Sequence, residues 1–331
     1  MDKPLSYDSL KSVLKHMSLK KREVINRQIS ELRTVNSRLP YVLENVRIGE
    51  NYFGTNGRSW VAESEAVVDP EKSKVAIYQN NSHKKAEYCV NKSPEEIWEQ
   101  LFDEYIRDGT VVRGSFYFRG IPELVKRKRE NGKDLKMKVK NLELNTFEKE
   151  GYDSFIQFID LDVLENVTFV AVKNTLAILS KPEIQTCKNL TVVVTYACDY
   201  PSVDQLRGLR NQHLQLEHLH FTLHDLQLFV QDWITSGREI GTRFSWAQKQ
   251  SKDVADSLEH VKTHFGAVEA VSNKPYYGNG ITLNMGEDRE LVMFCDKSKP
   301  QSEKYIDYSW VFEMEVVAIT PATGIVTTPD V

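Results

Sequence analysis

Histidine is the residue type in this chain that could do the most chemistry, because its neutral ring nitrogens bind transition metals. Four histidines crowd one segment: His213, His218, His220 and His224. His218 and His220 are two apart, so they share one face of a predicted strand. Leu219 and Phe221 occupy the other face, which we expect to be buried. The sequence therefore predicts that His218 and His220 face solvent and hold no metal.

A second histidine pair and the cysteines also lack the context of a metal site. His260 and His264 have the i, i+4 spacing of a helical zinc pair, but no glutamate stands beside His260 to supply metalloprotease chemistry. The four cysteines are scattered, without a CxxC pair. We expect free thiols, no metal and no cofactor.

The sequence carries none of the familiar catalytic motifs. The segment 278–280, Gly-Asn-Gly, lacks the helix and the lysine that a phosphate-binding loop needs. There is no GxSxG elbow, and no nucleophile stands at an informative spacing from a base. A basic run at 126–129 could serve nuclear import or phosphate contact, although its acidic neighbours favour a solvated helix face. The sequence thus predicts no catalytic residues, and a protein that is not an enzyme.

The segment Gly241–Trp246 places different chemistry on its two faces. Arg243 and Ser245 lie on one face of the predicted strand, whereas Thr242, Phe244 and Trp246 lie on the other. Either face could serve recognition, and an ordinary last strand would show the same pattern.

Composition narrows the class of protein. The 331 residues are 40% hydrophobic and 27% charged, as in ordinary globular proteins. The net charge of -4 gives no electrostatic footprint for nucleic acid or an anionic membrane. The N-terminus lacks the apolar core of a signal peptide, and no apolar run would span a bilayer. We expect an intracellular protein, cytoplasmic or nuclear.

One short pattern recurs along the middle of the chain: charged, polar, apolar, polar or charged, apolar. Its copies are the segments 140–144, 165–169, 188–192 and 217–221, whose first apolar residues are 25, 23 and 29 positions apart. Recurring strands with room for a crossover predict a parallel stack. We expect parallel neighbours at 115–118, 141–145, 166–170, 189–194 and 217–222. The predicted core residues are Leu142, Leu144, Val167, Phe169, Leu190, Val192, Leu219 and Phe221.

Helical segments are predicted between these strands: 121–130, 152–161, 175–184, 203–212 and 225–235. Right-handed crossovers would place all of them on one side of the sheet. The result is leucine-rich-repeat-like but irregular, since the Leu/Asn ladder of that class is absent. A doubly wound sheet is the alternative.

The segments before and after the repeated strands have a different sequence pattern. Three helices are predicted within residues 5–38, with Leu10, Val13 and Leu14 on one stripe and Lys20, Lys21 and Arg22 pointing outward. A further helix begins at Ser93 with a capping box and ends at Gly109. After Trp246 a helix at 253–265 and four strands without intervening helices predict an antiparallel meander.

Several segments resemble the nematode F-box C family. They are the opening Pro4–Leu14, the stretch Asp232–Ser245, and the endings Glu290–Phe294 and Phe312–Ala318; Tyr152–Ile156 and Ile184–Thr186 are also similar. The resemblance runs from about residue 4 to about residue 320. It implies an F-box-like N-terminal element joined to a family-specific domain of unknown function.

The resemblance also implies a partner. F-box proteins generally dock on the Skp-type linker of cullin–RING ubiquitin ligases and present a protein substrate. The residues at the positions of the docking motif are Pro4, Leu5, Tyr7, Leu10, Val13 and Leu14. The hypothesis is a non-enzymatic adaptor; the alternatives are an interaction module that has lost linker binding and an enzyme on an α/β sheet.

The expected architecture is α/β in three parts. A helical F-box-like element occupies residues 1–40, and an irregular leucine-rich-repeat-like parallel sheet with helices occupies residues 41–250. The last part, residues 251–331, is a helix, an antiparallel strand meander and a frayed tail, continuous with the sheet.

Overall fold

The fold is that of a computed structural model, which divides into two compact units. It describes residues 6–49, 51–64, 72–79, 83–119, 135–145, 149–172, 175–195, 200–248, 251–270, 280–286, 288–297 and 310–319. Unit 1 comprises residues 1–187 and 195–199, and unit 2 comprises residues 188–194 and 200–331. The division predicted at residues 40 and 250 rests on changes in sequence pattern and stays a prediction. The predicted helix 121–130 with its basic run, and most of the predicted tail, lie outside the described residues.

Unit 1 begins with the three predicted helices: α1 (Tyr7–His16), α2 (Leu19–Gln28) and α3 (Leu32–Ser37). The Ser6 hydroxyl accepts a hydrogen bond from the Ser9 backbone N–H and caps α1. Ser18 is the N-cap residue of α2. The chain then passes Pro40 and becomes extended, because proline disfavours helical backbone at the residue before it.

The sheet of unit 1 is mixed. Its strands are β1 (Val42–Leu43), β2 (Val46–Gly49), β3 (Tyr52–Thr55), β4 (Arg58–Ser64), β5 (Ser73–Gln79), β6 (His83–Val90), β7 (Val111–Phe118), β8 (Lys138–Leu144) and β9 (Asn166–Ala171). The order is β9-β8-β7-β2-β3-β4-β5-β6, with β1 also on β7. The strands β9, β8, β7 and β2 are mutually parallel, and those from β2 to β6 form an antiparallel meander.

Helices cover the apolar face of that sheet. They are α4 (Pro94–Tyr105), α5 (Lys149–Ile156) and α6 (Pro182–Thr186), with 3₁₀ turns at Leu161–Val163 and Leu176–Ser180. Phe155 of α5 stacks on Phe118 of β7, with ring centroids 4.0 Å apart. The predicted capping box of α4 is confirmed: Ser93 and Glu96 exchange hydrogen bonds. The predicted end at Gly109 is wrong. The helix stops at Tyr105 because the buried Ile106 is already extended.

Unit 2 has a second mixed sheet. Its strands are β10 (Asn189–Val194), β11 (His213–Glu217), β12 (Arg243–Gln248), β13 (Val268–Glu269), β14 (Ile281–Asn284), β15 (Arg289–Lys297) and β16 (Trp310–Ala318). The strands β10, β11 and β12 are parallel, and β12, β16, β15, β14 and β13 follow as the predicted antiparallel meander. Its helices are α7 (Val203–Arg207), α8 (Leu223–Thr235) and α9 (Ser251–Phe265). Phe229 of α8 packs on Phe244 of β12, with centroids 4.8 Å apart.

The repeat prediction is confirmed in its core and wrong in one strand. All eight predicted core residues are buried. The segment 217–222 is not a strand, since β11 ends at Glu217 and His218 has a φ of 60°. Leu214 and Leu216 occupy the strand positions that Leu219 and Phe221 were expected to fill, and the latter are buried in the loop that follows. Leu214 lies 24 positions after Leu190, so the true repeat is more regular than the predicted one.

A short asparagine ladder exists in unit 1, contrary to the sequence interpretation. The Asn141 side-chain amide donates to the Gly114 carbonyl at 2.9 Å, and the Asn166 amide donates to the Asn141 side-chain oxygen at 2.5 Å. Gly114 is required here, because a Cβ would lie 2.4 Å from the Asn45 side-chain oxygen. The polar position that recurs in the sequence pattern is therefore structural in these copies.

Candidate functional site

The predicted partner-binding residues form a partly exposed stripe on α1. Tyr7 is 52% exposed and Val13 is 41% exposed, whereas Leu10 is half-buried and Leu14 is 1% exposed. Leu14 is thus a core residue, and the others line a solvent-facing edge. The Lys11 ammonium lies 4.1 Å from the Tyr7 ring centroid. Pro4 and Leu5 lie outside the described residues.

A buried arginine joins α2 to α3 and to the segment that follows α3. The sequence placed Arg22 outward with Lys20 and Lys21, but Arg22 is fully buried while the two lysines are exposed. Its guanidinium donates to the Asn36 side-chain oxygen and the Pro40 carbonyl, both at 2.6 Å. It also donates to the Asn36 and Leu39 carbonyls at 3.2 Å. Arg22 therefore satisfies the carbonyl groups at the end of α3, which lysine could not do with one nitrogen.

A second contact joins α2 to the sheet. The Glu23 carboxylate accepts both terminal nitrogens of Arg58 on β4, at 3.0 and 3.2 Å, and the Tyr105 hydroxyl of α4 at 3.0 Å. Burial and the Glu23 charge raise the pKa of Tyr105 well above its usual range, so its hydroxyl stays a donor. Because bidentate arginine–carboxylate pairs have defined geometry, α2 is fixed to the body of unit 1.

Successive side chains of β11 and β12 point to opposite faces of the unit 2 sheet. One face is buried, and the other carries polar side chains. Arg243 is paired with Glu315 across β12 and β16, with nitrogen and oxygen 3.0 Å apart. His213 Nε2 lies 3.1 Å from Ser245 Oγ on the next strand. The predicted division of Gly241–Trp246 is confirmed, because Thr242, Phe244 and Trp246 are buried while Arg243 is exposed and Ser245 is half-buried.

Two titratable groups on this face have shifted pKa values. Burial, together with the Arg243 charge, lowers the pKa of His213, so its ring is neutral at pH 7. Burial raises the pKa of Glu217, although the hydrogen bond from Gln215 opposes the shift. A serine beside a neutral histidine has the composition of a nucleophile and its base. Among the described residues, no third group hydrogen-bonds His213 Nδ1, so the orienting partner of a catalytic triad is not in place.

The remaining histidines do not converge. His218 lies in the left-handed region after β11, His220 is exposed, and the predicted shared strand face does not form. The rings of His260 and His264 lie on one side of α9 with centroids 6.2 Å apart. Within the described part of the chain, no group of three or more histidine, cysteine or acidic side chains could hold a metal ion.

A cavity of about 250 Å³ lies in unit 2 beside the buried loop residues Leu219 and Phe221. Its rim includes the exposed Tyr200 and the N-cap of α8, where Thr222 and Asp225 form a capping box. The cavity is open and mainly apolar at its base. Its lining also includes Ser202 and His220, and its volume offers room for one side chain of a partner.

Comparison with known proteins adds one family. Residues 123–250 match the family described as Domain of unknown function (DUF3557). The match to DUF3557 runs from before β8 to the end of β12, so it includes β8 and β9 of unit 1 and β10, β11 and β12 of unit 2. No curated protein and no solved structure matches the chain. In the described residues, no helix has the length and apolar character needed to cross a membrane.

Sequence reasoning missed the buried arginine and the ordered polar face. Arg22 follows two lysines that are exposed, and the local pattern is that of a solvated turn of helix. One signal existed, since Arg22 is three residues after Leu19 and therefore on the same side of α2. The His213–Ser245 contact depends on the register of β11 on β12, which no local spacing reveals.

Proposed function

We propose that the protein is a non-enzymatic protein-interaction adaptor that docks on the Skp-type linker of cullin–RING ubiquitin ligases through α1. One observation supports it above the others. Four of the twelve large apolar side chains that are exposed among the described residues lie in the first two helices or directly after them; they are Tyr7, Val13, Val24 and Ile29. A patch of exposed apolar side chains marks an interaction surface, and Tyr7 and Val13 are both exposed on α1.

The arrangement of α1 suits such docking. The buried Leu14 packs α1 against the rest of unit 1. Tyr7 and Val13 are exposed, so they can contact a partner while α1 stays packed. Helices that bind partners do so through residues spaced along one side, and aromatic side chains often dominate the binding energy. The resemblance of residues 4–14 to the opening of F-box C proteins supplies the identity of the partner.

The experiment measures linker binding and folding in the same variants. Full-length protein is titrated with purified Skp-type linker, and Tyr7→Ala and Val13→Ala are expected to weaken binding by about 1–2 kcal/mol each. Val268→Ala is the matched control, because Val268 is 64% exposed and lies in unit 2. Melting temperatures should be nearly unchanged, since all three side chains are largely in solvent.

One outcome of this titration would contradict the adaptor proposal. If the intact protein shows no binding to the linker at micromolar concentration, the adaptor proposal fails. The alternative, an interaction module without linker binding, then takes its place, with the polar face of unit 2 as its surface. That face carries the ordered contacts of Arg243 with Glu315 and of His213 with Ser245.

A further inference from the structure

Three arginine side chains of unit 2 meet one carboxylate. Arg207 ends α7, Arg210 lies in the loop that follows, and Arg238 follows α8, which carries Asp232. The Arg238 Nη2 atom lies 3.3 Å from Asp232 Oδ2, Arg207 Nε lies 3.5 Å from Oδ1, and Arg210 Nη1 lies 3.7 Å from Oδ2. Asp232 carries one negative charge, so three guanidinium groups bring more positive charge than its carboxylate can balance.

The cluster has unused donors. The Nε–H groups of Arg207 and Arg238 are both buried and make no hydrogen bond to a described residue, since the Arg207 Nε contact with Asp232 Oδ1 at 3.5 Å is an ion pair without hydrogen-bond geometry. Arg238 is itself fixed, since its Nη1 donates to the Leu209 carbonyl at 2.7 Å and its guanidinium lies 4.9 Å from the Trp233 ring centroid. Burial lowers the pKa of Arg238, and the charge of Arg210 lowers it further. An additional anion would relieve both the unmet hydrogen bonds and the repulsion.

The side chains of the cluster differ in their exposure to solvent, which determines which of them a ligand contacts first. The side chains of Arg210 and Arg207 are 49% and 41% exposed, whereas those of Asp232 and Arg238 are 11% and 6% exposed. An anion that approaches from solvent therefore reaches two guanidinium groups before it reaches the carboxylate beneath them. Asp204 competes for Arg207 at 3.4 Å, but its side chain is 89% exposed. A surface pair of this kind is weak and readily exchanged.

We propose that Arg207, Arg210 and Arg238 form a binding site for a phosphomonoester group. Three positive charges meet the charge of the buried Asp232 and that of the exposed Asp204, so the excess is one while Asp204 is paired and two once a ligand displaces Asp204 from Arg207. An excess of two matches the charge of about -1.5 to -2 on a phosphomonoester at neutral pH. A single carboxylate would leave one charge uncompensated. The net charge of -4 on the whole chain disfavours a nucleic-acid polyanion. The site is independent of docking on α1.

The phosphate group could belong to a free small molecule or to a phosphorylated side chain, and the experiment separates these sources. Full-length protein is titrated at constant ionic strength with phenyl phosphate, inorganic phosphate and the peptide acetyl-Gly-phosphoserine-Gly-amide, followed by calorimetry and ³¹P NMR. Saturable binding of at least one probe below about 10 mM is expected. Tighter binding of the peptide identifies a phosphorylated side chain as the ligand, and equal or tighter binding of the other probes identifies a free phosphomonoester.

Matched variants assign the binding to this cluster. Arg210→Gln should weaken binding at least about tenfold, because it removes one charge-assisted contact. Asp204→Asn should strengthen it about twofold, because a competing surface carboxylate is lost. Arg113→Gln is the control, since Arg113 on β7 is also an exposed arginine paired with one glutamate, Glu44, at 3.8 Å. Circular dichroism melts establish that each variant is folded.

Three results would overturn the proposal. The first is the absence of saturable binding by all three probes. The second is unchanged affinity in Arg210→Gln. The third is an equal loss in Arg113→Gln, which would mean that phosphate interacts with the surface without a defined site.

Discussion

The guanidinium carbon of Arg22 lies 4.0 Å from the centroid of the Tyr41 ring. The guanidinium of Arg107 lies 4.4 Å from the same ring, and the Tyr41 hydroxyl donates to Glu104 at 3.3 Å. Burial lowers the pKa of Arg22 to about 10, so the side chain remains charged at pH 7. Among the described residues, no carboxylate contacts the Arg22 guanidinium directly. Its charge is stabilised instead by the Tyr41 ring and by the oxygens of Asn36, Leu39 and Pro40.

Replacement of this arginine should be costly. Arg22→Met is expected to lower the free energy of unfolding by about 3–5 kcal/mol, because several buried oxygens lose their donor at once. Urea denaturation followed by circular dichroism measures the change. Lys21→Met, at the adjacent exposed position, is the control and should change stability by less than about 0.5 kcal/mol. A loss under 1 kcal/mol in Arg22→Met would mean that the arginine is not structural.

The strand core gives a second prediction. Phe169 is fully buried on β9, and Phe221 is 8% exposed in the loop after β11. Truncating either to Ala should cost about 3–5 kcal/mol, because each leaves a cavity among packed aromatic rings or aliphatic side chains. Thr168→Ala provides the control, since Thr168 is half-buried on the other face of β9. If Phe221→Ala costs as little as Thr168→Ala, the loop after β11 is not part of the core.

Glu217 should destabilise the protein at neutral pH. Its folded pKa lies above the unfolded value because of burial, so the folded chain binds more protons between the two values. At pH values below the unfolded pKa, Glu217 is protonated in both states and burying it costs little. As pH rises from the unfolded pKa through the folded pKa of Glu217, the protein loses stability. We therefore expect Glu217→Gln to stabilise the protein at pH 7 and to have a smaller effect at pH 4.

Thermal melts of both proteins at pH 4, 5, 6 and 7 measure this difference. Glu143→Gln on β8 of unit 1 is a suitable comparison, because Glu143 is also half-buried on a strand. A stabilisation by Glu217→Gln that is the same at every pH would contradict the assignment to ionisation.

The cysteines should differ in reactivity. Burial raises the pKa of Cys295 to about 11, and its sulfur lies 3.6 Å from the Val254 carbonyl. Cys89 is exposed on β6. Because the thiolate is the reactive form, iodoacetamide at pH 8 should modify Cys89 at least about tenfold faster than Cys295 in the folded protein. Peptide mass spectrometry measures both rates, and similar rates under native conditions would contradict the burial of Cys295.

Local patterns predicted the parts of the fold that depend on short-range periodicity. Alternating apolar residues located β8, β9 and β10, and the capping box at Ser93 located the start of α4. By contrast, β6 was missed because its side chains are exposed or half-buried along the strand, so no period of two marks a buried face. The error at 217–222 arose because Leu219 and Phe221 are buried from a loop and imitate the alternation of a strand.

The candidate sites were predicted less completely than the fold. Tyr7 and Val13 were identified by their positions in a segment that resembles a family motif. The apolar stripe of α1 did not reveal their exposure, because it also contains the buried Leu14. The meeting of Arg207, Arg210 and Arg238 at Asp232 requires the packing of α7 against α8. No spacing in the sequence indicates that three of these charges converge on one carboxylate.

The attachment of Glu23 to Arg58 and Tyr105 has a mechanical consequence. A docking helix on a flexible tether would let its partner sample a wide volume around the rest of the chain. Here the Glu23 contacts attach α2 to β4 and α4, and α1 precedes α2 with a connection of only two residues. If α1 binds the proposed partner through Tyr7 and Val13, the orientation of that partner relative to the sheet of unit 1 is therefore set by these fixed contacts and not by the length of a flexible linker.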